Sequence, residues 1–124
     1  MSWVSILMGS ESDWPVMQSC KEVFDDLEIS CEVRITSAHR TPQETKDYVV
    51  DAQSRGCKIF ICAAGMAAHL AGAVAAQTTC PVIGVPISSG ALQGVDALLS
   101  TVQMPGGIPV ATVAIGKAGA KNAA

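Results

Sequence analysis

The sequence predicts an α/β fold, a flavodoxin-like three-layer sandwich built around a five-stranded parallel sheet. Three observations lead there. Short apolar runs recur along the chain, each followed by a polar or glycine-containing turn and then by a stretch with helical spacing of apolar residues. That alternation is the signature of a βαβ chain. The runs are nearly continuous Val, Ile and Ala rather than alternating apolar and polar, as strands covered by helices on both faces must be. Finally, 124 residues that are 49% hydrophobic but only 4% aromatic supply one core of small aliphatic side chains. That suffices for a single domain over residues 1–124.

The first strand is Val4 to Leu7, ending in the polar turn Met8-Gly9-Ser10-Glu11-Ser12-Asp13. Val16, Met17, Cys20, Val23, Phe24 and Leu27 follow at helical spacing. Ser12 or Asp13 is placed to cap that helix, and Pro15 in its first turn loses no needed donor. Cys31 to Ile35 reads as the second strand, closed by Thr36 to Arg40. Thr41-Pro42-Gln43-Glu44 has the form of a capping box, and Thr45, Tyr48, Val49 and Ala52 form the buried stripe of its helix. Gly56 suits the left-handed position at that helix's end.

Lys58 to Cys62 is the third strand, with Ala63-Ala64-Gly65-Met66 turning into a helix over Ala67 to Gln77. Val82 to Val85 is the fourth strand, and Leu92, Val95, Leu98, Leu99 and Val102 mark an amphipathic helix. Val110 to Ile115 is the fifth strand. Two details stand out. The helix of Ala, Gly and Val over Ala67 to Gln77 would bury little area if left in solvent, which points to a tight interface between subunits. Ala118 to Ala124 begins a helix too short to stand alone, so it docks elsewhere or the natural chain is longer with this helix truncated here.

A formal net charge of -3 offers no general attraction for nucleic acid or anionic membranes. Any phosphate must be held by a local site. Cysteines fall at 20, 31, 57, 62 and 80, an odd number without a C-x-x-C pair. They read as free thiols in a reducing compartment, the cytoplasm, and no ligand spacing for a metal is present. Met1 to Met8 lacks the basic start and the length of a signal peptide. Ile59 to Ala76 approaches spanning length without a charge, but its Ala and Gly content, His69 and the break at Gly65 make it strand, turn and buried helix.

Ligands of open α/β sheets bind beyond the carboxyl ends of the strands. Both histidines of the chain fall in such segments. Gly9 to Asp13 opens a helix, so its amides and the hydroxyls of Ser10 and Ser12 suit a phosphate, and Asp13 suits a ribose hydroxyl. An ordinary capped turn explains that segment equally well. His39 lies between Ser37 and Arg40: an imidazole gives and takes protons near neutral pH, and a guanidinium pairs with an anion. The alternative is a surface loop with incidental polar residues. His69 is as readily a structural histidine as a ligand contact, and Lys117 is either an anion contact or a solvated lysine. No nucleophilic triad or carboxylate pair is apparent, so the chemistry implied is proton transfer with anion recognition.

Taken together, Met8-Gly9-Ser10-Glu11-Ser12-Asp13, Ser37-Ala38-His39-Arg40-Thr41-Pro42, Ala67-Ala68-His69-Leu70 and Gly84-Val85-Pro86 resemble the PurE family of purine biosynthesis. So do Gly94-Val95-Asp96, Val102-Gln103-Met104-Pro105, Gly107-Ile108-Pro109-Val110 and Ala114-Ile115-Gly116. The likeness is collinear over essentially the whole chain. Arg40 resembles class I, the N5-carboxyaminoimidazole ribonucleotide mutases, whereas class II carboxylases have Lys there. The resemblance implies a homo-octamer acting on a small-molecule ribonucleotide with no cofactor. It also implies a carboxylate moved from the exocyclic nitrogen to C4 by decarboxylation and recarboxylation. His39 matches the general acid/base, while Ser10, Asp13 and Arg40 match substrate-binding positions and Ser12 the phosphate and ribose end. Ser37 and the Gly65 to Leu70 loop, with His69 and Leu70, match the surroundings of the migrating carboxylate.

Two departures from the family pattern are Met66 where many members have Gly and Ala71 where they have Pro. Family members also continue past this chain's end through a helix that packs on neighbouring subunits. Beside the mutase stand two other readings: the class II carboxylase using CO2, and a non-catalytic nucleotide-binding flavodoxin-like module.

Overall fold

The computed structural model describes all residues from Met1 to Ala124. Five parallel strands, β1 (Trp3–Met8), β2 (Cys31–Ile35), β3 (Cys57–Gly65), β4 (Val82–Ile87) and β5 (Ala111–Thr112), form one sheet in the order β2-β1-β3-β4-β5. The helices are α1 (Trp14–Asp26), α2 (Pro42–Ser54), α3 (Leu70–Ala75), α4 (Val95–Val102) and α5 (Lys117–Ala123), with a 3-10 turn at Glu11–Asp13. The expected α/β sandwich is thus present. The chain leaves β1 toward β2 and returns to β3 on the other side, so the strand order reverses between β1 and β3. Such a switch point leaves a crevice beyond the carboxyl ends of the two strands.

Alternation along the strands divides the core into two layers. Val4, Ile6 and Met8 of β1 face α1 and α5 together with Met17, Cys20, Phe24, Ala120 and Ala123. Leu7 and Phe60 face the opposite way, against Tyr48, Val49 and Ala52 of α2 and Leu70, Ala71 and Val74 of α3. Ser5 is polar inside this second layer, and its hydroxyl meets the Tyr48 hydroxyl at 2.7 Å, so neither is left unsatisfied. Burial pushes the Tyr48 phenol up to about 12. The short tail docks within the molecule: Ala120 and Ala123 of α5 are buried against α1.

Several local expectations are corrected. Thr41 does not close a capping box; its hydroxyl turns back to the main chain of Ser37. Asp13 takes the cap position of α1 but makes no side-chain cap bond, whereas Ser10 caps the preceding 3-10 turn, accepting from the Ser12 N–H at 3.3 Å. The third strand runs on through Ala63-Ala64-Gly65 because β4 pairs with it as far as Gly65–Ile87. The helix expected from Ala67 to Gln77 therefore shrinks to Leu70–Ala75. The fifth strand is only Ala111–Thr112 in place of Val110 to Ile115, since an edge strand has one neighbour to hold it. Gly56 adopts φ 102 as expected.

Gly84 shows why β4 and α4 lie so close. A methyl group there would overlap Thr101 Cγ2 and sit 3.1 Å from Val110 Cγ1. The helix α4 turns its small residues Ala97 and Thr101 to the sheet, while Leu92, Val95, Leu99 and Val102 remain 43–60% exposed. The expected apolar stripe exists but points away from the core. All five cysteines are free, and Cys20, Cys57 and Cys62 are buried. Burial pushes the Cys20 thiol up to about 12 and the Cys62 thiol higher still, so both stay protonated and inert near neutral pH. No helix is long and apolar enough to cross a membrane.

Candidate active site

At the switch point the loops after β1, β2, β3 and β4 enclose a cavity of about 350 Å³. The backbone pins two of these loops directly to the sheet. The Gly9 N–H donates to Ala63 O at 3.1 Å, and the Thr36 N–H donates to Met8 O at 2.9 Å. All nine residues singled out from the sequence line this one cavity: Ser10, Ser12, Asp13, Ser37, His39, Arg40, Gly65, His69 and Leu70. A larger cavity, about 900 Å³, lies at the opposite ends of β4 and β5 among Gln53, Thr78, Cys80 and Ile108. It carries no ionisable group other than the Cys80 thiol, whereas the smaller one gathers two imidazoles, a guanidinium and a carboxyl.

Each wall has a local cause. The Ser10 hydroxyl meets that of Ser12 at 2.9 Å, presenting two oxygens at the start of the 3-10 turn. Behind them Asp13 is buried, and burial raises its carboxyl above the ordinary 3.8, opposed in part by the Ser10 backbone N–H. On the second wall the Arg40 N–H donates to Ser37 Oγ at 3.1 Å, which folds Ser37 to Arg40 into a turn. The Arg40 guanidinium is exposed and forms no ion pair within the chain. Its charge is available to an anion.

The two histidines meet across the cavity. His39 Nε2 lies 2.7 Å from His69 Nδ1, and the rings are edge-to-face at 84° with centroids 4.8 Å apart. One of the facing nitrogens must carry the hydrogen and the other accept it. The remaining ring nitrogens, His39 Nδ1 and His69 Nε2, have no partner in the chain. His69 occupies the cap position of α3 without a side-chain cap bond, so its ring is free to turn toward His39.

Sequence reasoning missed two features, Ser89 and the histidine contact. Ser89, beyond β4, lines the cavity, although only its general position at a strand end marked it. Met66, within the Gly65 to Leu70 loop singled out above, lines the cavity at φ 55 and largely exposed, a conformation that disfavours any residue with a Cβ. The His39–His69 contact joins residues 30 apart, and no local pattern reports it. Lys117 is not part of the lining. No cluster of three metal-ligating side chains occurs in the chain.

Comparison with known proteins agrees with the geometry. The family model described as AIR carboxylase matches residues 3–124. The chain is 56% identical over 120 residues to the N5-carboxyaminoimidazole ribonucleotide mutase of Bacillus subtilis (strain 168), covering 97% of this chain and 74% of that protein. The mutase of Escherichia coli (strain K12) is 54% identical over 121 residues, 98% of this chain and 72% of its own length. Among solved structures, Treponema denticola PurE superposes with a TM-score of 0.87 at 30% identity, over 99% of this chain and 78% of its own. The chain belongs to the AIR carboxylase family, that of the PurE enzymes.

Proposed function

We propose that this chain is an N5-carboxyaminoimidazole ribonucleotide mutase of purine biosynthesis, working with no cofactor. The observation that carries the reading is the convergence of His39, His69 and Arg40 with Ser10, Ser12 and Asp13 on one cavity at the switch point. The reaction needs an anion site, one movable proton and a pocket that retains CO2, and these residues meet those needs.

In this reading the phosphate and ribose lie along Ser10, Ser12 and the buried Asp13. Arg40 faces the anionic substrate, and Ser37, Gly65, His69 and Leu70 surround the migrating carboxylate. The bond between the exocyclic nitrogen and the carboxylate carbon breaks and releases CO2, while His39 gives its proton to that nitrogen. The C4 carbon of the resulting aminoimidazole then attacks the retained CO2. The proton displaced from C4 returns to His39, so protons and electrons balance and the catalyst is regenerated. His69, in hydrogen-bond contact with His39, orients the ring and selects its tautomer.

We further propose that the ribonucleotide-binding subunit is cytoplasmic and assembles as a homo-octamer. Supporting assembly is an apolar face made by Val95, Leu99 and Val102 of α4 with Leu92 of the preceding turn, all exposed in the subunit. Supporting the compartment are five free cysteines. Light scattering on the purified chain tests the assembly, and a monomer at micromolar concentration would contradict it.

The activity test supplies N5-carboxyaminoimidazole ribonucleotide and follows 4-carboxy-5-aminoimidazole ribonucleotide without added bicarbonate or ATP. The expected outcome is conversion under those conditions. Strict dependence on added CO2 would instead indicate the carboxylase reaction, and a flavin-bound preparation without turnover would indicate a non-catalytic module.

A further inference from the structure

The 2.7 Å contact between His39 and His69 joins two exposed side chains on different loops. Neither ring has another hydrogen-bond partner in the chain, so the contact depends on where the two backbones are held. An N–H···N bond weakens steeply with displacement, and a functional constellation has to be held to within about 0.5 Å. The holding groups are hydroxyls of neighbouring helices.

On the His39 side, Ser37 is gripped at both main-chain groups. Its N–H donates to Thr41 Oγ1 at 3.0 Å, and its carbonyl accepts from the Thr41 hydroxyl and the Thr45 hydroxyl, each at 3.2 Å. Thr45 is only 3% exposed, and its Oγ1 also meets Thr36 Oγ1 at 2.7 Å and Thr41 O at 3.0 Å. This one hydroxyl therefore ties α2 to the end of β2 and to the turn that carries His39. On the other side Ser100 Oγ accepts the Ala68 N–H at 2.9 Å while lying 2.8 Å from Asp96 O. A serine in a helix commonly returns its proton to the carbonyl four residues back. Here the same oxygen also reaches out of α4 to the residue before His69. The loop it holds includes Met66 in its left-handed conformation.

We propose that Thr45 and Ser100 are positioning residues of this site, whose hydroxyls set the loops of His39 and His69 so that the two imidazoles meet. The inference rests on the proposed mutase reaction for its kinetic consequence only. The contact itself is readable without turnover.

The chain has two histidines, so full-length protein with 15N-labelled histidine displays two imidazole spin systems. The wild type is expected to show scalar coupling through the hydrogen bond between His39 Nε2 and His69 Nδ1. Thr45→Val, close in shape but without the hydroxyl, and Ser100→Ala are each expected to abolish that coupling. Each is also expected to lower kcat about 10–100-fold with KM changed less than about threefold, the cost of a small misplacement of the reacting groups. Thr45→Ser restores the hydroxyl and should keep both coupling and kcat. If Thr45→Val does not fold, Ser100→Ala decides the same question from the other loop. Coupling that is absent from the wild type, or that persists with unchanged kcat in a folded Thr45→Val or Ser100→Ala, overturns the inference. So does a Thr45→Ser variant that behaves like Thr45→Val. Lost coupling with unchanged kcat upholds the positioning role and removes the histidine contact from the mutase mechanism.

Discussion

Replacing His39 by asparagine separates its chemistry from its place in the fold. Asparagine keeps a polar group on the turn, but it supplies no proton near neutral pH. His39 is exposed, and its one side-chain hydrogen bond goes to another exposed residue, His69. Surface changes of this kind alter stability by about 0.5 kcal/mol or less, a Tm shift under about 4 °C for a domain of this size. General acid–base catalysis contributes roughly 10²–10⁴-fold, or roughly 2.7–5.5 kcal/mol of barrier at about 1.36 kcal/mol per decade. The two effects differ by several-fold in free energy, so the outcome is sharply divided. His39→Asn should lose at least about a hundredfold in turnover with near-normal melting. Substrate affinity should change by less than about tenfold, because Ser10, Ser12, Asp13 and Arg40 are left in place. The assay follows product without bicarbonate or ATP, with calorimetry for binding and thermal melting for stability. Turnover within about tenfold of wild type would refute the role given to His39.

Arg40→Ala should weaken substrate binding by roughly 10–150-fold, since hydrogen bonds to charged groups contribute about 1.5–3 kcal/mol. It should leave Tm unchanged, because the guanidinium has no ion-pair partner within the chain; calorimetry and melting measure both. Asp13 is held above the ordinary aspartate value of 3.8 mainly by burial. The folded state therefore binds the proton more tightly than the unfolded one, and stability falls as pH rises from about 3.8 through the raised value. Asp13→Asn should flatten that part of the pH–stability curve and raise Tm at neutral pH while weakening ribonucleotide binding, as chemical denaturation across pH will show. Gly84→Ala should cost about 1–3 kcal/mol from overpacking and lower turnover as well. The added methyl presses on Thr101, whose hydroxyl donates to the Ala68 carbonyl beside His69 at 3.4 Å.

How much could be read before the structure differs between the fold and the site. β1, β3 and β4 were legible because each is an apolar run with a turn behind it, and burial on both faces writes that pattern directly into composition. The edge strand β2, Cys31-Glu32-Val33-Arg34-Ile35, alternates instead. Element ends were not. β3 extends through Gly65 because β4 offers it a partner up to Ile87, and pairing with a neighbour leaves no mark on the strand's own residues. For the same reason α3 begins at Leu70 rather than Ala67. The apolar stripe of α4 was legible, but the side of the molecule it faces was not. Close approach at Gly84 selects the small Ala97 and Thr101 for the sheet side and leaves the larger residues outside.

The sequence by itself determined which segments pair strand ends with glycines, hydroxyls and the two histidines, because these are local features ordered along the chain. His39 between Ser37 and Arg40 was visible as an imidazole beside a guanidinium, the pair proposed to move a proton and meet an anion. Only the tertiary structure decided that His69 stands 2.7 Å from it, that Ser89 and Met66 complete the wall, and that hydroxyls from α2 and α4 hold the two loops in place. Those facts depend on strand order. The reversal between β1 and β3 brings together loops that are distant along the chain, and distances between such loops are set by packing rather than by any spacing of residues.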